Sequence, residues 1–463
     1  MACTTHSMFE KSITRRDALK TIGGMFATGL MVQSFPNVLF AKEKQPNIIF
    51  ILSDDHRWDI LSCLGHPFIQ TPYMDRLAKE GVLFENAFVT TSLCSPSRAS
   101  FITGQYAHTH GVKNNITPWN NSNVTFMELL KGAGYDTAFI GKWHMPGHLP
   151  ELRGVDQFIT FTVQAGQGRY FDCPLIVDGK EIPSQKPYIT EELTDYALKF
   201  ISQKRQKPFC LYLSHKAVHH QFRPPPELAG IYSNVPLNIP KEADSWITWT
   251  KGSVWYGLLG PMESFFRRYC ETIVSLDQQI GRVLDKLDEL GIADNTIVVY
   301  AGDNGYFWGE HHLVDKRWPY EESMRIPFIV RYPDFIRNPG RKAEQMVLNI
   351  DLAPTLLSLA DVPVPKSMEG RSIKPILKDS NAPWRKAWLY EYFKDFPYQV
   401  PELNAVRTSR YKYIEYKGRK PADLFDIVKD ARETHNLMNT PEGKQVLPEL
   451  KKMLDQLKKG DQL

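Results

Sequence analysis

Five short apolar runs rich in β-branched or aromatic residues punctuate the chain: 47–52 (NIIFIL), 136–140 (DTAFI), 209–213 (FCLYL), 296–301 (TIVVYA) and 327–332 (PFIVRY). Between them apolar residues recur at helical spacing. The stretch 71–81 has a proline near its start and Gly81 at its end, 125–134 opens on a Thr125 cap, and 261–291 is a long amphipathic pattern closed by glycine. Strand-type runs alternating with such helices predict an α/β domain built on a large, mostly parallel central sheet flanked by helices. From about residue 376 the pattern changes. KAWLYEYF, NAVRTSRYKYIEY and an amphipathic stretch at 446–459 predict a smaller C-terminal antiparallel sheet with a helix. The expected plan is a leader over 1–41, a catalytic domain over 42–375 and an α+β subdomain over 376–463.

Four of the five predicted strands run straight into reactive residues. The first leads to Asp54 and Asp55, the second to Lys142 and His144, the third to the cluster His215, His219 and His220, and the fourth to Asp303 and Asn304. Open α/β sheets bind ligands beyond the carboxyl ends of their strands, so this placement predicts one shared site. The fifth run ends on Pro333.

Composition narrows the class. A net charge of +4 over 463 residues, with no long basic stripe, argues against a nucleic-acid partner. The paired Arg15 and Arg16 followed by an uncharged run from Thr21 to Phe35 read as an export signal, since that run is too short for a membrane span. Its Thr-Arg-Arg-Asp-Ala-Leu-Lys pattern resembles a bacterial twin-arginine signal, with Ala18 where an aromatic is usual. The expected location is therefore the periplasm, or outside the cell. Beyond the leader, Cys63, Cys173, Cys210 and Cys270 are irregularly spaced and form no metal knuckle; an oxidising compartment would permit a bond among them, and the spacing does not choose one.

Two adjacent carboxylates after a buried strand repel each other unless a cation holds them. Asp54 and Asp55 with Asp303 and Asn304 form a set of hard oxygen donors suited to Ca²⁺ or Mg²⁺ rather than zinc. Lys142 and His144 stand two apart, on the same side of an extended segment. With the His-bearing loop and Lys316, these residues equip a site for a tetrahedral anion and its leaving oxygen. Cys94 does not match such a metal, because thiolates prefer softer ions.

Cys94-Ser95-Pro96-Ser97-Arg98 resembles the Cys-x-Pro-x-Arg signature of type I sulfatases. Asp54-Asp55, GKWHM, GDNG, GEHHLVDKRWPYEESMRIP and the closing DLFDIVKDARETHNL follow in that family's order, with Ala431 where a proline is common. The resemblance implies an alkaline-phosphatase-like sandwich. It also implies oxidation of Cys94 to formylglycine by a maturation enzyme, and one calcium ion held by Asp54, Asp55, Asp303, Asn304 and the modified Cys94. In that scheme Arg98 stabilises the ionised hydrate, an oxygen of which attacks sulfur, while Lys142 and Lys316 meet the sulfate oxygens. His219 protonates the leaving alkoxide, with His215 as the lesser candidate, and His144 deprotonates the remaining hydroxyl. His220 and His311 either touch substrate or hold their loops.

The 53–94 region and GEHHLVDKRWPYEESMRIPFIVRYP (309–333) look most like N-acetylglucosamine-6-sulfatases and related polysaccharide sulfatases, and GQGRYFDCPLIVDGK (166–180) is similar to a stretch of that branch. A sulfated carbohydrate is thus the expected substrate, with N-acetylglucosamine 6-O-sulfate the best guess. Phosphonate monoester and phosphodiester hydrolases share the fold and form the alternative. The variable loops 145–190 and 220–260, the second carrying Trp246, Trp249, Trp255 and Tyr256, are expected to shape the pocket.

Overall fold

The structure, a computed structural model, describes residues 45–463 apart from 148, 150–151, 238, 240–261 and 419–420. The expected leader and the tryptophans of the second variable loop lie outside the described residues. Ten strands form the central sheet: β1 (Asn47–Ser53), β2 (Val82–Phe84), β3 (Asp136–Gly141), β4 (Gln157–Thr160), β5 (Leu175–Val177), β6 (Lys180–Ile182), β7 (Phe209–Ser214), β8 (Thr296–Gly302), β9 (Phe328–Arg331) and β10 (Arg341–Ala343). Their spatial order is β10-β2-β9-β8-β1-β7-β3-β4-β5-β6. β1 lies between β7 and β8, parallel to both, and β3 is parallel to β7 and β4.

Every residue of β1, β7 and β8 is buried, which explains why the sequence shows continuous apolar runs there instead of alternation. On one face Phe50, Tyr212 and Phe139 pack with Phe101 from α2 (Cys94–Thr103) and Phe126 from α3 (Phe126–Gly132). On the other, Ile49, Ile51, Leu211 and Leu213 pack beneath α1 (Pro72–Glu80), α4 (Ile189–Ile201) and α5 (Met262–Glu289).

Because β1, β3, β7 and β8 are parallel, their carboxyl ends open on one edge of the sheet. β9, the fifth run expected from sequence, pairs antiparallel with both β8 and β2, so the sheet is mixed. Its carboxyl end points away from that edge, and this is the run that ends in no reactive residue.

The C-terminal sheet is a meander of β11 (Ala387–Tyr392), β12 (Leu403–Thr408), β13 (Tyr411–Tyr416) and β14 (Asp423–Asp426), all antiparallel. Leu450, Leu454 and Leu457 of α6 (Pro441–Lys458) pack on Val406, Tyr413 and Leu424. α6 begins five residues before the expected 446, because Thr440 Oγ1 caps the Gly443 amide at 3.0 Å and Pro441 occupies the first turn. Cys63, Cys173, Cys210 and Cys270 all stand as free thiols.

Candidate active site

Cys94 is the first residue of α2, fully buried beneath the edge onto which the four parallel strands open. Its Sγ lies 3.1 Å from Lys316 Nζ and 3.6 Å from Asp54 Oδ1. Burial pushes the thiol up to about 12 despite the nearby Lys142 and Lys316. An unmodified Cys94 is therefore a thiol at neutral pH and a poor nucleophile.

β1 and β8 supply the carboxylates. The Asp55 amide donates to Asp303 Oδ1 at 2.9 Å, and Asn304 Nδ2 donates to Asp55 Oδ1 at 2.7 Å. Asp55 has a φ of +52°, a left-handed turn that bends the chain at the end of β1. Lys142 pairs with Asp54 and Lys316 with Asp55. Burial works against the Asp54 anion, but Lys142, with Arg98 and Lys316, holds its carboxyl well below the usual range. Asp55 goes the other way: burial, with help from Asp54 and Asp303, lifts it to about 7 against the pull of Lys316. Three carboxylates this close share their cations unequally.

Arg98, four residues into α2, ties these elements together. Its Nε donates to Asp303 Oδ2 at 2.9 Å, and its Nη1 donates to the Lys142 carbonyl at 2.9 Å and to Ser214 Oγ at 2.6 Å. Helix α2 and the ends of β3, β7 and β8 are thus fixed by one guanidinium fork.

Two buried oxygens, Asp55 Oδ2 and Asn304 Oδ1, have no hydrogen-bond partner among the described residues. Oxygens of Asp54, Asp55 and Asp303 lie within 4.8 Å of one another. Orphaned acceptors converging with carboxylates fit a hard divalent cation, so the residues present suit Ca²⁺ or Mg²⁺.

The histidines divide. His219 Nδ1 donates to the His220 carbonyl at 2.6 Å, leaving Nε2 facing Asp55 Oδ2 at 3.9 Å. Burial holds its ring neutral well below the usual range, opposed by Asp54. His144 is buried, and burial with the neighbouring Lys142 likewise keeps it neutral. Both ring nitrogens of His215 are buried without a hydrogen-bond partner among the described residues, and burial lowers it to about 3. The His220 ring sits against Phe222 and Phe265. His311 stacks on Tyr320 with ring centroids 3.9 Å apart, beside Glu322, and lines a cavity of about 850 Å³ with Arg57, Glu310 and Arg407.

The structure therefore brings Asp54, Asp55, Cys94, Arg98, Lys142, His219, Asp303, Asn304 and Lys316 into one contact network and sets His220 and His311 among aromatic rings. Two groups in this network have no role in the sequence reading. Ser214 Oγ receives Arg98 and donates to the Lys142 carbonyl at 2.7 Å. Gln167 reaches Lys142 Nζ at 2.6 Å through Oε1 and His144 Nε2 at 2.7 Å through Nε2. A polar amide between two glycines in GQG was the available signal.

Comparison with known proteins places this arrangement in a family. The Sulfatase family model matches residues 46–362, and the model described as N-sulphoglucosamine sulphohydrolase, C-terminal, matches residues 309–460. The chain belongs to the sulfatase family and is a sulfuric ester hydrolase. It is 33% identical to an N-acetylglucosamine-6-O-sulfatase of Bacteroides thetaiotaomicron, over 93% of this chain and 89% of that protein. It also resembles a structure of a protein in complex with its substrate D-glucosamine-2-N,6-O-disulfate, with a TM-score of 0.84, 32% identity, and coverage of 90% of this chain and 98% of that one. The alkaline-phosphatase-like fold extends to a phosphonate monoester hydrolase of Agrobacterium radiobacter, at a TM-score of 0.74 and 22% identity over 90% of this chain and 96% of that one.

Proposed function

We propose that this chain removes sulfate esters from carbohydrate, with N-acetylglucosamine 6-O-sulfate in a glycosaminoglycan fragment as the preferred group. The observation that carries the reading is the buried Cys94 thiol. It sits between Lys316 and Asp54, buried at the first position of the Cys-x-Pro-x-Arg segment and beside the carboxylate cluster. Conversion to formylglycine would supply a hydrated aldehyde, an oxygen nucleophile, at that position. Asp54, Asp55, Asp303 and Asn304 would hold a calcium ion, which supplies positive charge to the sulfate oxygens and to the nucleophile.

The contacts support the remaining roles. Lys142 and Lys316, each paired to a carboxylate at the site, would meet the sulfate oxygens as charge builds on them. Arg98 fixes Asp303 and the end of β3. His219 presents Nε2 to the site because its Nδ1 is engaged, and a sulfate ester brings a negative charge that favours the protonated ring. That ring would donate its proton to the leaving alkoxide. The relatives named for N-acetylglucosamine 6-O-sulfate and glucosamine 2-N,6-O-disulfate support the choice of sugar.

Export of a leader over residues 1–41 and delivery of the mature enzyme to a periplasmic or extracellular glycan belong to the same reading. The test pairs sulfate and phosphate esters of one leaving group, using protein matured by a formylglycine-generating enzyme. A sulfate preference supports the proposal. A phosphate preference would turn it towards the phosphohydrolase alternative.

A further inference from the structure

The turn that follows β4 carries Gln167 to the two functional residues at the end of β3. Its Oε1 accepts from Lys142 Nζ at 2.6 Å, and its Nε2 lies 2.7 Å from His144 Nε2. The backbone holds this amide in place. The Gly166 and Gly168 amides donate to the Thr162 and Val163 carbonyls at 2.9 and 3.0 Å. Gly168 has a φ of +72°, and a Cβ there would lie 2.6 Å from the Phe161 ring, so no larger residue fits. Three residues on, Tyr170 donates to the His219 carbonyl at 2.7 Å. One short loop thus contacts both histidines assigned to proton transfer.

The polarity of the Gln167 amide is not free. Lys142 has only protons to give, so the amide oxygen must face it and the amide nitrogen must face His144. The amide N–H then donates to His144 Nε2, which has to be the unprotonated nitrogen of the neutral ring. The proton sits on Nδ1, a buried atom with no hydrogen-bond partner among the described residues.

We propose that Gln167 is a positioning residue that fixes the tautomer of His144 and couples it to Lys142. This inference deepens the sulfatase reading and rests on it for its consequence. In the resting site His144 is a hydrogen-bond donor at Nδ1, not a base. It becomes an acceptor there only after Nδ1 has given its proton to water and Nε2 has taken one from water, with the amide turned over so that its oxygen accepts from Nε2–H. Lys142 permits that turn when its ammonium is engaged by another anion, such as a sulfate oxygen.

The tautomer can be read without turnover, from the imidazole ¹⁵N shifts of histidine-labelled protein carrying Cys94→Ser, with His144 assigned by its loss in His144→Asn. The expected result is a protonated Nδ1 and an unprotonated Nε2. Gln167→Glu, which can only accept, should move the proton to Nε2, and Gln167→Met should leave both tautomers populated. A protonated Nε2 in the Gln167 protein, or shifts unaltered in both variants, would overturn the proposal. In matured enzyme, Gln167→Met should lower kcat by about 10- to 100-fold, the usual cost of losing an orienting partner, with KM changed far less. If the matured parent released no sulfate while the tautomer result held, the sulfatase reading would fail and the positioning role would stand.

Discussion

His219 is the residue whose role separates chemistry from packing most sharply. If its Nε2 carries the proton to the leaving oxygen, His219→Ala should cost most where that oxygen is a poor leaving group. On N-acetylglucosamine 6-sulfate the loss in kcat should be about 10²- to 10⁴-fold, the usual share of a positioned proton donor. On an aryl sulfate, whose phenolate leaves unaided, it should be tenfold less or smaller. Equal losses on both would assign His219 to structure. Most of the polar centre was legible at this scale, because Asp54, Asp55, Lys142, Asp303 and Asn304 each follow an apolar run directly. Gln167 and Ser214 were not. Each acts by reaching across the fold to a residue distant in sequence; GQG marks Gln167 as a polar amide held between glycines, but no spacing names its partners, and the Ser214 hydroxyl carries no mark at all.

Among elements, β3 shows how tightly the site depends on strand packing. Gly141 closes that strand at a φ of +116°, and a Cβ there would lie 1.8 Å from the Ser214 carbonyl oxygen. The Lys142 amide donates to the same oxygen at 2.7 Å. Gly141→Ala must therefore push β3 away from β7, where Lys142 and Ser214 meet Arg98. Strain and a lost contact of this kind should destabilise by about 3 kcal/mol or more, seen as a lower midpoint in urea, with activity falling further than folded fraction. An unchanged midpoint would mean the two strands are not held so closely. Strand existence was legible from apolar runs, whereas strand direction was not. A buried strand reads the same forwards and backwards, and only the reactive residues after β1, β3, β7 and β8 hinted that β9 differs.

At the level of the whole molecule, the contact between the C-terminal sheet and the main body includes His108, whose Nδ1 lies 2.8 Å from Glu391 Oε2 on β11. The hydrogen bond to Glu391 raises the His108 pKa above its ordinary value. A raised histidine stabilises the fold below the unfolded pKa of about 6.5, and that contribution is lost as pH rises through the higher folded value. The ring is 43% exposed, so solvent screening should keep the effect under about 1 kcal/mol. Unfolding of the parent and His108→Gln at pH 5.5 and 8.5 should show the parent's advantage at the lower pH only. The same advantage at both would remove the ion pair from the account. The architecture was legible in outline because each sheet has its own pattern, continuous apolar runs separated by helical stretches in the central one and closely spaced aromatic-rich strands with no helix between them in the C-terminal meander. The early start of α6 was missed because its first turn is set by the Thr440 cap and not by apolar spacing.

The most direct test of the central claim is free sulfate released from N-acetylglucosamine 6-sulfate by protein co-expressed with a formylglycine-generating enzyme, beside a Cys94→Ala control. Release should require Cys94, be lost on chelation and return with calcium. Release by the Cys94→Ala protein would contradict the assigned nucleophile. No release, with formylglycine confirmed at position 94 by peptide mass, would contradict the assigned sugar.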